Sequence, residues 1–291
     1  MNFANIYRAN PFVLSFELFP PKSDEGTVAL EENLRELFAF GPNFVTCTYG
    51  AGGSTRDKTL DTLTRVQRIG GGAVASHLTC VNATVDDLRA YLRRAEAMDI
   101  QNIVAIRGDA PKGQASFQAT EGGLRYGSDL VKLIRGEFPM FGIAVGGYPE
   151  KHPEAASADE DLNHLKYKVD CGADIVITQL YFDNADFFRF RDRCVAAGIR
   201  VPIVPGIIPA TSYEQINRMT SLCGAKLPPK FRADLEKAAP DPEAQFKVGV
   251  AHAIAQCREL KAQGVPGIHF YVLNKSRATG EVLQALRLAG N

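Results

Sequence analysis

Glu17 is set in Val13-Leu14-Ser15-Phe16-Glu17-Leu18-Phe19, a short apolar run that Pro20 and Pro21 end abruptly. Such runs tend to be covered on both faces, and a carboxylate buried there is expensive unless it is paired or chemically employed. Burial at an apolar strand end is also expected to raise the pKa of such a carboxyl. A second carboxylate, Asp109, closes the turn Ile106-Arg107-Gly108-Asp109-Ala110-Pro111. Two carboxylates beside a fixed guanidinium are the parts needed for acid/base chemistry on an anionic ligand, and Gly108 permits close backbone approach to a flat or phosphorylated group. The plainer alternatives are a solvent-facing strand residue for Glu17 and a local Arg107 to Asp109 pair in an ordinary turn.

The elements that must position these groups recur along the whole chain. Apolar runs compatible with buried strands occupy 13–19, 44–48, 73–79, 102–107, 142–147, 174–179, 201–206 and 267–273. Helical periodicity lies between them, as over 27–40, where Leu30, Leu34, Leu37 and Phe38 share a face and Gly41-Pro42 stops the helix. Thr84 with Asp87 and Thr211 with Glu214 have the spacing of capping boxes, and Asp241-Pro242 opens a further helix. Strands alternating with helices imply parallel pairing, because each return to the same end of the sheet needs a crossover. Eight such units predict an α/β fold, a (β/α)₈ TIM barrel, formed by residues 1–291 as one catalytic domain. An open doubly wound sheet is disfavoured, since Gly50-Ala51-Gly52-Gly53-Ser54-Thr55 fails the dinucleotide fingerprint at its last position.

In a barrel the active site lies at the carboxyl ends of the strands. The polar residues there are Glu17, Thr48 with Tyr49, His77 with Thr79, Arg107 with Asp109, Tyr148, Gln179, and His269 with Tyr271 and Asn274. Singly, each is explained as a loop cap or a hydrogen-bonded core residue; eight strands converging on one rim make them a set. A Schiff-base lysine is missing after the sixth strand, where Gln179 stands, which weakens an aldolase reading, although Lys275 after the eighth strand keeps it open.

Composition removes other classes. Lysine plus arginine equals aspartate plus glutamate at 33 each, so no global field favours nucleic acid or an anionic membrane. The start has no signal-peptide pattern and no apolar run approaches a membrane span, so a cytoplasmic protein is expected. Six scattered cysteines without a C-x-x-C pair read as reduced thiols, and the five histidines lack metal-ligand spacing, so no metal is expected.

Taken together, Ser15 to Lys22, Thr48-Tyr49-Gly50-Ala51, His77-Leu78-Thr79-Cys80, Arg107-Gly108-Asp109, Gly147 to Ala155, Thr178 to Asp183, Pro205 to Pro209 and His269 to Asn274 resemble the methylenetetrahydrofolate reductase family from about Phe12 to the carboxyl end. The resemblance implies a barrel that holds FAD at its rim without a separate nucleotide-binding domain. It implies flavin contacts from Thr48, His77, Arg107, Gly108, Asp109, Tyr148, His152, Asp161 and Lys168, with Arg107 and Lys168 suited to a diphosphate. It further implies that NADH or NADPH first reduces the flavin and leaves, and that 5,10-methylenetetrahydrofolate then takes the hydride to become 5-methyltetrahydrofolate. Glu17 stands where the family has its general acid, and Asp109 where a residue tunes the flavin and orients the pterin. Gln179, Met219, Tyr271 and Lys275 fall among the implied substrate contacts.

Some positions depart from the bacterial pattern. Met219 replaces an aromatic residue expected to stack on the folate's aminobenzoate ring, and His164 and Tyr167 stand where relatives carry asparagine and arginine near the adenosine end of FAD. Little chain follows the eighth unit, so no counterpart of the domain that binds S-adenosylmethionine in longer relatives is expected. A homo-oligomer is also expected. Two other readings stay open from sequence: a flavin-independent barrel hydrolase or lyase using Glu17 and Asp109, and a non-catalytic flavin or folate binding protein.

Overall fold

The computed structural model describes residues 1–49, 56–70, 72–109 and 117–286. The glycine run at 50–55, with the Gly50-Ala51 part of its motif, and Ala110 and Pro111 of the Arg107 turn lie outside the described residues. The strands are β1 (Val13–Leu18), β2 (Phe44–Cys47), β3 (Ala73–Thr79), β4 (Asn102–Ile106), β5 (Gly142–Gly147), β6 (Ile175–Thr178), β7 (Ile203–Val204), β8 (Gly206–Ile207) and β9 (Gly267–Tyr271). The helices are α1 (Phe3–Ala9), α2 (Asp24–Phe38), α3 (Arg56–Ile69), α4 (Val85–Ala97), α5 (Gly127–Glu137) and α6 (Ala158–Asp170). They continue as α7 (Asn184–Ala196), α8 (Tyr213–Cys223), α9 (Pro229–Ala238), α10 (Pro242–Ala262) and α11 (Arg277–Leu286).

All pairings are parallel, in the order β7-β6-β5-β4-β3-β2-β1-β9-β8. The two ends of that order are halves of one stave. β7 pairs with β6 and β8 with β9, so the sheet wraps into a nearly closed α/β barrel. The expected uninterrupted seventh strand is therefore corrected to two short pieces on either side of Pro205, whose ring nitrogen has no hydrogen to give to a ladder. Side chains bridge the break: Tyr271 Oη donates to Thr178 O at 2.6 Å and Gly206 N donates to Thr178 Oγ1 at 2.9 Å.

Alternation along each strand sorts residues into two cores. Leu14, Phe16 and Leu18 of β1 point outward and join Leu30, Leu34 and Leu37 of α2 in the large cluster between sheet and helices. Val13, Phe44, Ala75, Val104, Ala144 and Ile175 point inward, where Phe3 and Ile6 of α1 pack against them. Asn102 fastens that helix, accepting from Phe3 N at 2.7 Å and donating to Met1 O at 3.1 Å.

Local signals set most helix starts. The Thr84–Asp87 capping box is formed, and Asp241 accepts from Glu243 N at the head of α10. The box expected from Thr211 is not: Ser212 caps α8 instead, accepting from Gln215 N. α2 begins at Asp24, earlier than the expected Thr27, because Ser23 accepts from Gly26 N.

The seam yields a stability prediction. A Cβ on Gly206 would lie 2.3 Å from Thr178 O and 2.7 Å from the Tyr271 ring, so Gly206→Ala must push apart the backbone that completes the barrel. The expected cost is about 1–3 kcal/mol, as for overpacked cores, and urea unfolding measures it. An unchanged midpoint would show that the seam yields freely.

Candidate active site

At the carboxyl ends of the strands a cavity of ≈ 320 Å³ is lined by residues from β1, β3, β4, β5, β6 and β9, from the loops that follow them, and from α5 and α6. Its polar lining comprises Glu17, His77, Arg107, Asp109, Tyr148, His152, Lys168, Gln179 and Tyr271. A larger groove of ≈ 700 Å³ lies against α9 and α10, but its Lys230 and Asp234 satisfy each other at 2.7 Å and it gathers no comparable set. The smaller cavity is the candidate site.

Strand register explains the floor of that cavity. Val13, Ser15 and Glu17 alternate with outward residues, so they climb one face of β1. Ser15 lies beside His269, and Glu17 beside Tyr271 and Thr46, on the neighbouring strands. His77 comes from β3. Its Nε2 is 3.2 Å from Glu17 Oε2, and His269 Nε2 approaches the same oxygen to 3.6 Å. Neither nitrogen is aligned for a regular hydrogen bond or has another protein partner, so proximity and charge couple them to the carboxylate.

This arrangement corrects the expected pKa of Glu17. Burial does push the carboxyl upward, but His77 first, then His269, pull it further down, to about 2. The two imidazoles therefore hold Glu17 as a carboxylate. The apolar neighbours Phe16 and Leu18, which suggested the opposite, face the helix layer.

The rim is cationic. Arg107 makes a bidentate pair with Glu154, at 2.6 Å and 2.8 Å, lies over the Phe117 ring and donates from Nε to Gly108 O. Glu154 acts as an internal counter-anion, so an anionic ligand at this guanidinium competes with it. Lys168 reaches from α6 to donate to Gly146 O at 2.8 Å, and burial lowers its ammonium pKa to about 8. Tyr148 meets His152 edge-on with ring centroids 4.6 Å apart. Burial raises the Tyr148 phenol and lowers the His152 imidazole. Gln179 Oε1 accepts from Leu180 N, which leaves its NH₂ end available to donate.

Four glycines complete the wall. Gly108, Gly127, Gly146 and Gly147 present bare backbone to the cavity; a Cβ on Gly127 would press to 3.3 Å from Arg107 N, while one on Gly146 would meet nothing within 4 Å. Backbone strips of this kind admit a flat ring, and Arg107 and Lys168 suit an anionic tail. This donor set fits an extended aromatic cofactor carrying phosphate. Among the described residues no cluster of histidine, cysteine, aspartate or glutamate could hold a metal ion.

The sequence pattern of the methylenetetrahydrofolate reductase family matches residues 2–287. The chain belongs to the methylenetetrahydrofolate reductase family. It is 39% identical over 284 residues to "Methylenetetrahydrofolate reductase (NADH) 1" of Arabidopsis thaliana, with 94% of this chain and 48% of that protein covered. It is 38% identical over 273 residues to 5,10-methylenetetrahydrofolate reductase of Escherichia coli K12, with 94% and 90% covered. The chain thus spans about half the length of the plant relative and most of the bacterial one. A Clostridium thermocellum protein described as binding two copies of 5-methyl-5,6,7,8-tetrahydrofolic acid shares the fold, with TM-score 0.66 at 14% identity over 99% of both chains.

Within this reductase family barrel, four expected site residues stand outside the cavity lining. Asp161 lies behind it, accepting from His152 N at 3.0 Å. Thr48 follows β2, its carbonyl taken by Thr59 Oγ1 at 2.9 Å. Met219 packs with Ile208 and Ile216 in a cluster beneath α8 and α9. Lys275 is exposed beyond β9. Of the two other departures, Tyr167 is on the surface with Lys132 over its ring, and His164 is exposed on α6. Sequence reasoning missed Glu154, Gly127 and Gly146. The Gly146-Gly147 pair ending a strand was the available signal for the last; nothing in spacing pointed to the others.

The Glu17 shift has a checkable sign. The folded protein binds this proton less readily than the unfolded chain, so ionised Glu17 contributes stability above its ordinary value of 4.5, and the contribution is lost as pH falls toward about 2. The stability difference between wild type and Glu17→Gln, from denaturant titrations, should therefore shrink across that window. A difference that stays constant with pH would mean the histidines do not hold the carboxylate.

Proposed function

We propose that this barrel, residues 1–291, catalyses the flavin-dependent reduction of 5,10-methylenetetrahydrofolate to 5-methyltetrahydrofolate, with NADH or NADPH as donor in a ping-pong order. The observation that carries the reading is Glu17 held between His77 and His269 on the floor of a cleft whose rim offers Arg107, Lys168 and bare glycine backbone, in a chain of the reductase family. Bound FAD would supply the relay that accepts hydride from the nicotinamide and passes it to the folate.

The protein's own tasks follow from the geometry. Arg107 and Lys168 would hold the cofactor's diphosphate, the Gly127 and Gly146 backbone would lie along its flat portion, and Asp109 would stand at the turn beside its ring. The NH₂ of Gln179 would donate to a pterin carbonyl or a nicotinamide amide, and Tyr271 would contribute its ring, since its hydroxyl is taken by Thr178 O. Glu17 would protonate the folate nitrogen whose bond to the methylene bridge must open before hydride arrives. A folate seated over the cleft removes water from Glu17, and further burial raises a carboxyl's pKa toward what an acid needs.

Glu17→Gln keeps the shape and removes the proton. The variant should bind FAD and let NADH or NADPH reduce it at the normal rate, while reoxidation by methylenetetrahydrofolate slows by about 10²–10⁴, the usual range for general acid catalysis. Anaerobic stopped-flow at the flavin absorbance separates the halves. Equal slowing of both would make Glu17 a flavin-positioning residue, and a normal folate step would remove it from the mechanism.

Lys168 predicts how cofactor affinity depends on pH. Its ammonium, depressed to about 8 by burial, is lost as pH rises through that value. FAD affinity measured by fluorescence titration should fall over the same range in the wild type, and the Lys168→Met variant should lack that limb. Affinity independent of pH in the wild type would place the diphosphate elsewhere.

A further inference from the structure

Two residues beyond Glu17 the chain places a large apolar ring in the open. Phe19 is 40% exposed and joins none of the three apolar clusters formed by the described residues. A single exposed hydrophobe is ordinary; the backbone around this one is not. Phe19 N donates to Asn274 Oδ1 at 2.8 Å, and Asn274 Nδ2 donates to Phe19 O at 2.9 Å. The amide thereby extends the ladder between β1 and β9 by one rung, on the side where Val13 N donates to Pro266 O. Strand alternation therefore continues as far as Phe19. It sets the ring on the face of Val13, Ser15 and Glu17, one step of about 6.6 Å nearer the mouth of the cleft.

This rung is held at a conformational cost on both sides. Pro20 follows Phe19 and restricts the residue before it to extended backbone. Opposite, Leu273 and Asn274 are both left-handed, at φ 50° and 58°. Asparagine tolerates that region, but a leucine there is strained, and such strain persists where the surroundings over-determine it, as at ligand clamps. The outcome is an aromatic ring on a fixed stem, whose backbone has little freedom left to lose when a ligand covers it. Other aromatic groups of the cleft are engaged: Tyr271 Oη donates to Thr178 O, and Tyr148 stands edge-on to His152.

We propose that Phe19 is a specificity-determining residue of the folate half-reaction, packing on the benzoyl ring of the substrate, and that Asn274 is the positioning residue that aims it. The substrate's own chemistry selects that ring. In 5,10-methylenetetrahydrofolate the nitrogen whose bond to the methylene bridge must open is also the nitrogen that carries the aminobenzoyl group. With that nitrogen at Glu17, the benzoyl ring begins one bond away. It cannot run inward, because Ser15 and His269 fill the barrel below the carboxylate and are fully buried. It leaves past the next residue up the same face, which is Phe19. This inference rests on the reading of Glu17 as the acid of the folate half-reaction.

A binding cycle on the oxidised, FAD-loaded protein tests it. Titration with 5-methyltetrahydrofolate, read from the flavin absorbance, compares wild type, Phe19→Ala, Phe19→Tyr, Asn274→Gly and the double variant F19A/N274G. Loss of the ring should weaken binding about tenfold, the scale of one aromatic contact, and F19Y should restore it. N274G keeps the left-handed backbone and removes the amide. It should weaken binding by less than F19A, and should add nothing once the ring is gone. In anaerobic stopped-flow, F19A should raise the methylenetetrahydrofolate concentration that half-saturates flavin reoxidation more than it changes the saturated rate, and should affect reduction by NADH less than either. Unchanged folate affinity in F19A overturns the contact. A defect that falls equally on reduction by NADH also overturns it, since the ring would then shape the flavin pocket. Additive losses in the double variant overturn the role of Asn274. Wild-type protein that binds FAD but not 5-methyltetrahydrofolate overturns the functional reading itself, and this proposal with it.

Discussion

One carboxylate between two imidazoles sets the requirements for the rest of the site. Placing Glu17 Oε2 within 3.2 Å of His77 Nε2 and 3.6 Å of His269 Nε2 brings together strands that are distant in sequence. The sheet order does this by laying β9 beside β1 on one side and β3 two strands away on the other, and the β8 half of the broken stave pairs with β9 at His269 itself. If the seam at Pro205 opened, the register of β9 would loosen, and with it the distance from His269 to the carboxylate.

The seam and the rim serve opposite ends of the same cleft. Below, Gly206, Thr178 and Tyr271 join the broken stave, so the Tyr271 hydroxyl is structural while its ring faces the cavity. Above, Arg107 and Lys168 supply charge, and Glu154 keeps Arg107 neutralised until an anion arrives. The carboxylate and its imidazoles lie on the floor and the guanidinium and ammonium at the rim, a division that under the proposed function would keep a cofactor's charges away from the acid.

The eight-unit pattern was legible because each inward and outward alternation is local and most helices carry their own N-cap, as Ser23, Thr84, Ser157, Asp183 and Asp241 do. His77, Arg107, Asp109, Tyr148 and Gln179 followed from barrel geometry, whereas His152 and Lys168 were implied only by the family resemblance. What local reading could not supply was the partner set of Glu17. Phe16 and Leu18 are its neighbours in sequence but lie on the other side of the sheet, whereas His77 and His269 share its face through register. The broken seventh stave was hidden for a similar reason, since a single proline within an apolar run shows its effect only when both halves have neighbours. Glu154 was invisible because its role depends on where the loop after β5 folds back over Arg107.

The most direct test of the account is the anaerobic absorption spectrum of the purified protein, recorded alone, after NADH, and again after 5,10-methylenetetrahydrofolate. The account predicts an oxidised flavin spectrum that NADH bleaches and the folate restores. A protein that takes up no flavin, or a bleached flavin that the folate leaves unchanged, would contradict it.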